Sequence, residues 1–368
     1  MSSRLVMVTG GGTSGHVLPA LAIMDRLLAD GHDRASLRFV GTRHGIDERL
    51  LAATGYQHEL LDVVGLQRSL SRRNVVFLPK LIRATWRMHR LMRAERPAVV
   101  VNVGGYASMP ATLAAVLRRV PIVVVSYDLR PGLASKLAAR FAVATAAAFP
   151  GSVLPRAHTT GAPIRREIIA VDRNQDKDAA RASLGLPSDR FVVAVFGGSL
   201  GAKAVNGAVA RLVELSSERS DLAIHHVVGD RWLRSAAPAR DGAAGIMYHV
   251  IGYEDRMPLV YAASDLLVVR AGASTIAEVA ATGSVAVLVP WPGAAENHQL
   301  ANARTLSTIG AAVLVEEIEL SGERLLAEID RLRVDHEAFA AIASAAYAAG
   351  ERHRGDSLID LIREVTGR

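Results

Sequence analysis

Two glycine-rich turns stand out, because each follows a short apolar run and precedes a helical pattern. The first is Gly10-Gly11-Gly12-Thr13-Ser14-Gly15 and the second is Gly197-Gly198-Ser199-Leu200-Gly201. Glycine lets the backbone approach a phosphate closely, and a helix that starts there adds unpaired N–H groups and the positive end of its dipole. Gly10, Gly12 and Gly15 also match the dinucleotide fingerprint GxGxxG. That reading needs an acidic residue at the end of the next strand, about 20 residues on. The strand found there ends Gly41-Thr42-Arg43-His44, with no carboxylate for a ribose hydroxyl; Arg43 could meet a 2′-phosphate instead. Tight turning alone explains either loop singly, and both together less readily. His16 follows the first loop at a helix start. The dipole there favours neutral imidazole, the form a general base needs, and the same position also suits a histidine that only caps the loop.

A second group of candidates lies at 270–304. Arg270-Ala271-Gly272-Ala273-Ser274-Thr275 follows an apolar strand and enters a helix that carries Glu278 on the face of Ser274. A carboxylate there can accept hydrogen bonds from both hydroxyls of a ribose; a lone helix glutamate is otherwise a solvated one. The next strand ends in a polar loop with His298, Gln299 and, on the following helix, Asn302. An open α/β sheet places ligand groups at its carboxyl ends, and a Gln amide suits sugar hydroxyls because it both donates and accepts.

These groups need a scaffold, and the rest of the chain supplies its pattern. Apolar runs at 5–9, 37–41, 60–64, 99–103 and 122–126 alternate with amphipathic stretches such as 17–29 and 108–119. After a polar segment at 172–181 the alternation resumes at 191–196, 223–228, 247–251, 266–269, 285–289 and 311–315, and a last helix is expected at 357–365. Continuous Val/Ile/Leu runs separated by helices indicate parallel sheets covered on both faces. The chain's 368 residues fit two such α/β domains, each opening with a strand, a glycine turn and a helix. The expected organisation is two Rossmann-like domains facing across a cleft, the first over 1–163 and the second over 164–345, with 346–368 packing back on the first.

Composition narrows the functions. The chain has no cysteine, which excludes thiolate metal sites and a Cys nucleophile. Its net charge is +7, which favours an anionic partner: nucleic acid, membrane surface or phosphorylated substrate. Aromatic residues make up only 5% and no RNA-binding or zinc-finger signature is present, so nucleic acid is the least supported. No signal peptide or spanning segment is read, and a soluble or peripheral protein is expected. Between Gln67 and Pro97 nine cations (Arg68, Arg72, Arg73, Lys80, Arg83, Arg87, Arg90, Arg93 and Arg96) face a single acid, Glu95. Phe77, Leu78, Leu81, Trp86, Leu91 and Met92 interleave with them at helical spacing. Such a segment can lie on an anionic bilayer, or can be a core helix with a basic solvated face.

In order along almost the whole chain, Gly11-Gly12-Thr13-Ser14-Gly15-His16-Val17-Leu18-Pro19-Ala20, Gly41-Thr42, Gly104-Gly105-Tyr106, Thr160-Gly161-Ala162-Pro163-Ile164-Arg165, the second glycine turn, 270–283 and His298-Gln299 with Asn302 resemble the MurG family. These are UDP-GlcNAc transferases that convert lipid I to lipid II in peptidoglycan synthesis. The resemblance implies the GT-B fold, inversion at the anomeric carbon and an acceptor-side first domain. It places His16 and the Gly12-Thr13-Ser14-Gly15 and Gly104-Gly105-Tyr106 turns on the acceptor. It places Gly197, Gly198, Ser199, Gly201 and Arg165 at the diphosphate, and Glu278 at the ribose beside Arg270, Ala273 and Ser274. The backbone near Glu254 would read the uracil, and His298 and Gln299 the GlcNAc hydroxyls. It implies UDP-GlcNAc as co-substrate, a lipid-linked acceptor and a place on the cytoplasmic face of the cell membrane.

The chain departs from the family pattern where a His-Glu-x-Asn run is usual after the fifth strand. Here stands Ser126-Tyr127-Asp128-Leu129, one residue short, in which Asp128 could supply a carboxylate. Leu200 replaces a Gln, Ala162 an Asn and Ser14 a Gly. These changes point to a rival acceptor, such as a phosphoglycolipid of a natural-product pathway. A UDP-sugar epimerase and a UDP-sugar sensor are more distant alternatives. No metal is expected: the DxD triplet Asp176-Lys177-Asp178 follows no strand and reads as a solvated charge run.

Overall fold

The computed structural model describes residues 4–52, 54–65 and 72–367. The chain forms two compact units, Met1–Arg166 with Arg352–Arg368, and Glu167–Glu351.

The first unit opens with β1 (Val6–Thr9), α1 (Ser14–Ala29), β2 (Leu37–Thr42), α2 (Asp47–Leu51), β3 (Gln57–Leu61) and α3 (Arg72–Glu95). It continues with β4 (Val99–Asn102), α4 (Met109–Arg118), β5 (Ile122–Ser126), α5 (Leu133–Ala139), β6 (Ala144–Ala147) and β7 (Ala157–Thr159). All seven strands are parallel in the order β3-β2-β1-β4-β5-β6-β7. The central strands are buried on both faces, as expected when helices cover both sides. Met7, Val40, Val100, Ile122 and Val124 pack with Ala111, Ala114 and Ala115 of α4 and Met88 and Met92 of α3. The strand order reverses direction between β1 and β4. In open α/β sheets this switch point, at the carboxyl ends of the strands, is where ligands bind.

The chain passes to the second unit at α6 (Arg166–Ile169) and continues with α7 (Lys177–Leu184), β8 (Phe191–Phe196), α8 (Lys203–Leu215), β9 (Leu222–Val227), β10 (Arg240–Asp241) and β11 (Met247–Ile251). Then come α9 (Met257–Ala263), β12 (Leu266–Val269), α10 (Ala273–Thr282), β13 (Val285–Leu288), α11 (His298–Ser307), β14 (Val313–Leu314), α12 (Gly322–Val334) and α13 (His336–Ala349). The sheet order is β10-β11-β9-β8-β12-β13-β14, parallel except for β10 on its edge.

The chain then returns to the first unit through α14 (Glu351–Arg354) and α15 (Ser357–Gly367). Leu358, Ile359, Leu361, Ile362 and Val365 of α15 are buried; each such side chain contributes about 2 kcal/mol by leaving water. The buried Arg26 of α1 ties the segment down, donating to the Gly355 carbonyl and pairing with Asp356 at 2.6 Å. His353 Nδ1 accepts the Ala162 N–H at 2.9 Å.

Four strands differ from expectation, the short edge strand β10 among them. β3 starts three residues before the expected 60–64 run, since an edge strand tolerates the polar Gln57-His58-Glu59. β6 and β7, read only from the structure, are built of Ala, Thr and His, residue types with little strand signal of their own. The polar segment at 172–181 is better anchored than a solvated run. Arg181 is buried, donates to the Ala263, Ser188 and Arg190 carbonyls and pairs with Asp265 at 2.6 Å. Asp176 and Asp178 themselves are exposed.

Candidate active site

The first glycine turn lies at the switch point of its sheet. The Gly10 N–H bonds the Val40 carbonyl and the Val103 N–H bonds the Thr9 carbonyl, so the backbone leaves the sheet between β2 and β4. Asp47, fully buried, accepts the N–H groups of Gly12 at 2.7 Å and Thr42 at 3.0 Å. Burial pushes its carboxyl above the usual range, and these two N–H groups pull the other way. The ring of Tyr106 lies against Gly12, where an added Cβ would come within 2.8 Å of it. Gly12 therefore gives close packing rather than a phosphate donor, since its N–H is already used. Asp47 escaped the sequence reading: it lies just past the β2 end where a carboxylate was sought, but it faces the backbone of the loop and not a ribose.

His16 stands in the first turn of α1, whose start has neither a side-chain cap nor an acidic residue. Its ring lies against the Gly104-Gly105 turn. A Cβ at Gly105, where φ is +79°, would meet His16 Cδ2 at 2.8 Å. Asn102 shapes that turn, accepting the Gly104 N–H at 2.7 Å while donating to the Thr112 hydroxyl at 2.7 Å. Tyr127, from the end of β5, reaches both His16 Nδ1 and the Gly15 carbonyl with its hydroxyl, each at 2.5 Å. Burial lowers the His16 pKa; the Asp128 carboxylate and the Val103 carbonyl oppose that shift. The ring is thus held toward the neutral form. The structure groups Gly12, His16, Gly104, Gly105, Tyr106 and Asp128 at one end of the first sheet, beside Asp47 and Tyr127.

In the second unit the glycine turn is bare. Gly198, Ser199 and Leu200 are exposed, and α8 begins without a side-chain cap or an acidic residue. Gly201 fixes the turn: with φ at +67°, a Cβ there would overlap the Val228 carbonyl oxygen at 1.9 Å. Glu278, half-buried, has one carboxylate oxygen held by the Tyr261 hydroxyl at 2.8 Å, so it is oriented rather than simply solvated. Ala273 and Ser274 form the start of α10 beneath the Gly272 cap. The Glu254 side chain is buried and turned onto its own loop, accepting the Arg256 N–H at 2.8 Å and its guanidinium at 3.0 Å. His298 Nδ1 donates to the Ala295 carbonyl at 2.8 Å, and the Gln299 side-chain oxygen accepts the Trp291 N–H at 2.9 Å. These bonds fix both side chains and leave the Gln299 amide nitrogen to donate.

Against known proteins, residues 6–147 match the glycosyltransferase family 28 N-terminal domain and residues 192–357 its C-terminal domain. The chain is 39% identical, over 98% of its length and 96% of the relative's, to a UDP-N-acetylglucosamine--N-acetylmuramyl-(pentapeptide) pyrophosphoryl-undecaprenol N-acetylglucosamine transferase of Clavibacter sepedonicus. The protein of the same name from Desulforudis audaxviator is 37% identical, over 99% of each chain. The crystal structure of Acinetobacter baumannii MurG, 25% identical, superposes over 100% of both chains with a TM-score of 0.72. The chain belongs to the MurG family. It is a glycosyltransferase of family 28 with two parallel-sheet α/β domains of the GT-B type.

Two candidate residues of this MurG-family chain are placed differently from the expectation. Arg270, expected at the donor, is buried and committed within the fold: it donates to the Val289 carbonyl at 3.1 Å and pairs with Glu317. With its charge matched there, it braces the end of β12. Arg165 falls in the first unit, not the second, and its Nε is buried without a hydrogen-bond partner among the described residues.

The basic segment forms α3. Arg68 lies outside the described residues. On the outward face Leu78, Ile82 and Trp86 follow one another at helical i, i+4 spacing and are 58%, 61% and 63% exposed. Exposed Arg83, Arg90 and Arg93 flank them. Lys80 and Arg87 pair with Asp62 and Glu59, which reduces the one-sided charge read from the sequence. Among the described residues no helix is long and apolar enough to cross a membrane.

Proposed function

We propose that the chain moves GlcNAc from UDP-GlcNAc to the sugar of a polyprenyl-pyrophosphate-linked acceptor, with inversion and without a metal. The carrying observation is His16, seated at the switch point against Gly104-Gly105 and kept neutral by burial, in a chain similar throughout to transferases named for this reaction. Neutral imidazole takes the acceptor hydroxyl proton as the oxygen attacks the anomeric carbon. The departing diphosphate develops charge, which the uncapped start of α8 and Ser199 stabilise. Glu278, oriented by Tyr261, holds the ribose; the backbone at Glu254 reads the uracil; His298 and Gln299 contact the GlcNAc hydroxyls.

The protein works at the inner face of the membrane. Leu78, Ile82 and Trp86 enter the interface while Arg83, Arg90 and Arg93 meet anionic headgroups, each worth about 1 kcal/mol. The test is incubation with UDP-GlcNAc and a lipid I analogue, with and without chelator, reading UDP release and disaccharide. Equal product in both is expected. Donor binding without disaccharide would refute the acceptor assignment, and loss on chelation would refute metal independence. Anionic vesicles should retain the wild type at low salt and release an Ile82→Glu/Trp86→Glu variant; equal retention would remove the membrane reading.

A further inference from the structure

Tyr127 lies in the segment that departs from the family pattern, and it is almost fully buried, at 6% exposure. Its hydroxyl is within 2.5 Å of the Gly15 carbonyl oxygen and of His16 Nδ1. A phenol carries one proton and a carbonyl only accepts. The Tyr127 proton therefore goes to Gly15, and the remaining contact is a hydrogen bond only if Nδ1 is the donor. We infer that Tyr127 is a positioning residue that fixes His16 as the Nδ1–H tautomer and so leaves Nε2 as the basic nitrogen. The inference rests on the reading of His16 as the base.

The two bonds join the end of β5 to the first turn of α1, so the ring is held in both tautomer and angle. This is the part a buried carboxylate plays behind a histidine base elsewhere, with one difference. Burial holds the phenol far above its ordinary pKa, so it stays neutral and adds no charge beside the imidazole. Tyr127 and Asp128 are the titratable groups that act on the ring from the β5 end. Asp128 supplies attraction for the imidazolium once Nε2 has taken the acceptor proton, while Tyr127 supplies direction.

The test begins with the wild type. Nitrogen-15 NMR of the histidine rings, with the His16 signals found among the twelve histidines by their loss in His16→Gln, is expected to show Nδ1 protonated. An Nε2–H tautomer would overturn the inference without any Tyr127 variant. Tyr127→Phe should melt near the wild type, mix the tautomers and lower kcat by about 10- to 100-fold, as loss of an orienting partner does. Donor KM should stay unchanged. The low-pH limb of kcat/KM should move to lower pH, because the imidazolium loses an acceptor for its Nδ1–H. In a His16→Ala background the same change should cost nothing further. An equal loss in both backgrounds, or none in either, would overturn the inference. Full activity in His16→Ala would remove the base reading and the inference with it. A crippled His16→Ala beside an unaffected Tyr127→Phe would remove the inference alone.

Discussion

The two glycine turns share a plan, strand then turn then helix, and serve opposite ends. The first is enclosed by side chains. Asp47 takes the Gly12 N–H, Tyr106 lies over Gly12, and Tyr127 holds the Gly15 carbonyl and His16. The second turn is exposed at Gly198, Ser199 and Leu200, and its helix start is uncapped. An enclosed turn aims one side chain; an open turn offers backbone N–H groups to an anion. In the proposed reaction the first run of glycines positions the base and the second cradles the phosphate.

The contrast can be broken by adding single methyl groups. Gly201→Ala puts Cβ onto the Val228 carbonyl oxygen at 1.9 Å with φ at +67°. It should destabilise the second unit by several kcal/mol, more than a helix or turn glycine usually costs. A calorimetric scan should show that unit melting earlier. Gly105→Ala should leave melting closer to wild type and act on the chemistry. Displacing the His16 ring by about 1 Å is expected to lower kcat about 100-fold at unchanged donor KM. If donor KM rose instead, the first turn would be a donor site and the contrast would fail.

Acid should act on both units through neutral buried histidines. Burial lowers His225 to about 4 and His226 to about 3 in the second unit, and His353 to about 4 in the first. Unfolded histidine titrates near 6.5, so the unfolded chain takes up protons that the fold refuses. This stability is complete above pH 6.5 and is lost as pH falls toward 4, about 2 kcal/mol per residue by pH 5. Urea titrations at pH 7 and pH 5 should show a loss in both units, because burial also lowers His16 in the first. The smallest effect is expected for Gly198→Ala. Nothing lies within 4 Å of its added Cβ, and only the φ of +83° resists it. It should cost about 1 kcal/mol and raise donor KM slightly, a change checked by steady-state kinetics.

The alternation of apolar runs and helices made the two parallel α/β units legible, because buried strands and glycine turns leave strong local patterns. What stayed hidden depends on contacts far apart in sequence. Asp47 matters because it meets Gly12, and Tyr127 because it meets His16; neither spacing is local. β6, Ala144–Ala147, carries no strand signal and is a strand because β5 and β7 flank it. Arg270 looked like a donor cation because its partner, Glu317, is 47 residues away. The last segment reads as a helix packing back on the first domain; the anchors that hold it there, Arg26 on Asp356 and His353 on Ala162, lie too far apart in sequence to be read.

In the proposed reaction His16 acts on the chemistry and not on donor binding. The most direct test compares kcat and UDP-GlcNAc affinity in His16→Ala and Glu278→Ala with those of the wild type, on a lipid I analogue. His16→Ala is predicted to lose about 100- to 10,000-fold in kcat, the usual range for a general base, with donor affinity intact. Glu278→Ala should lose donor affinity first. A His16→Ala enzyme with full kcat would contradict the account.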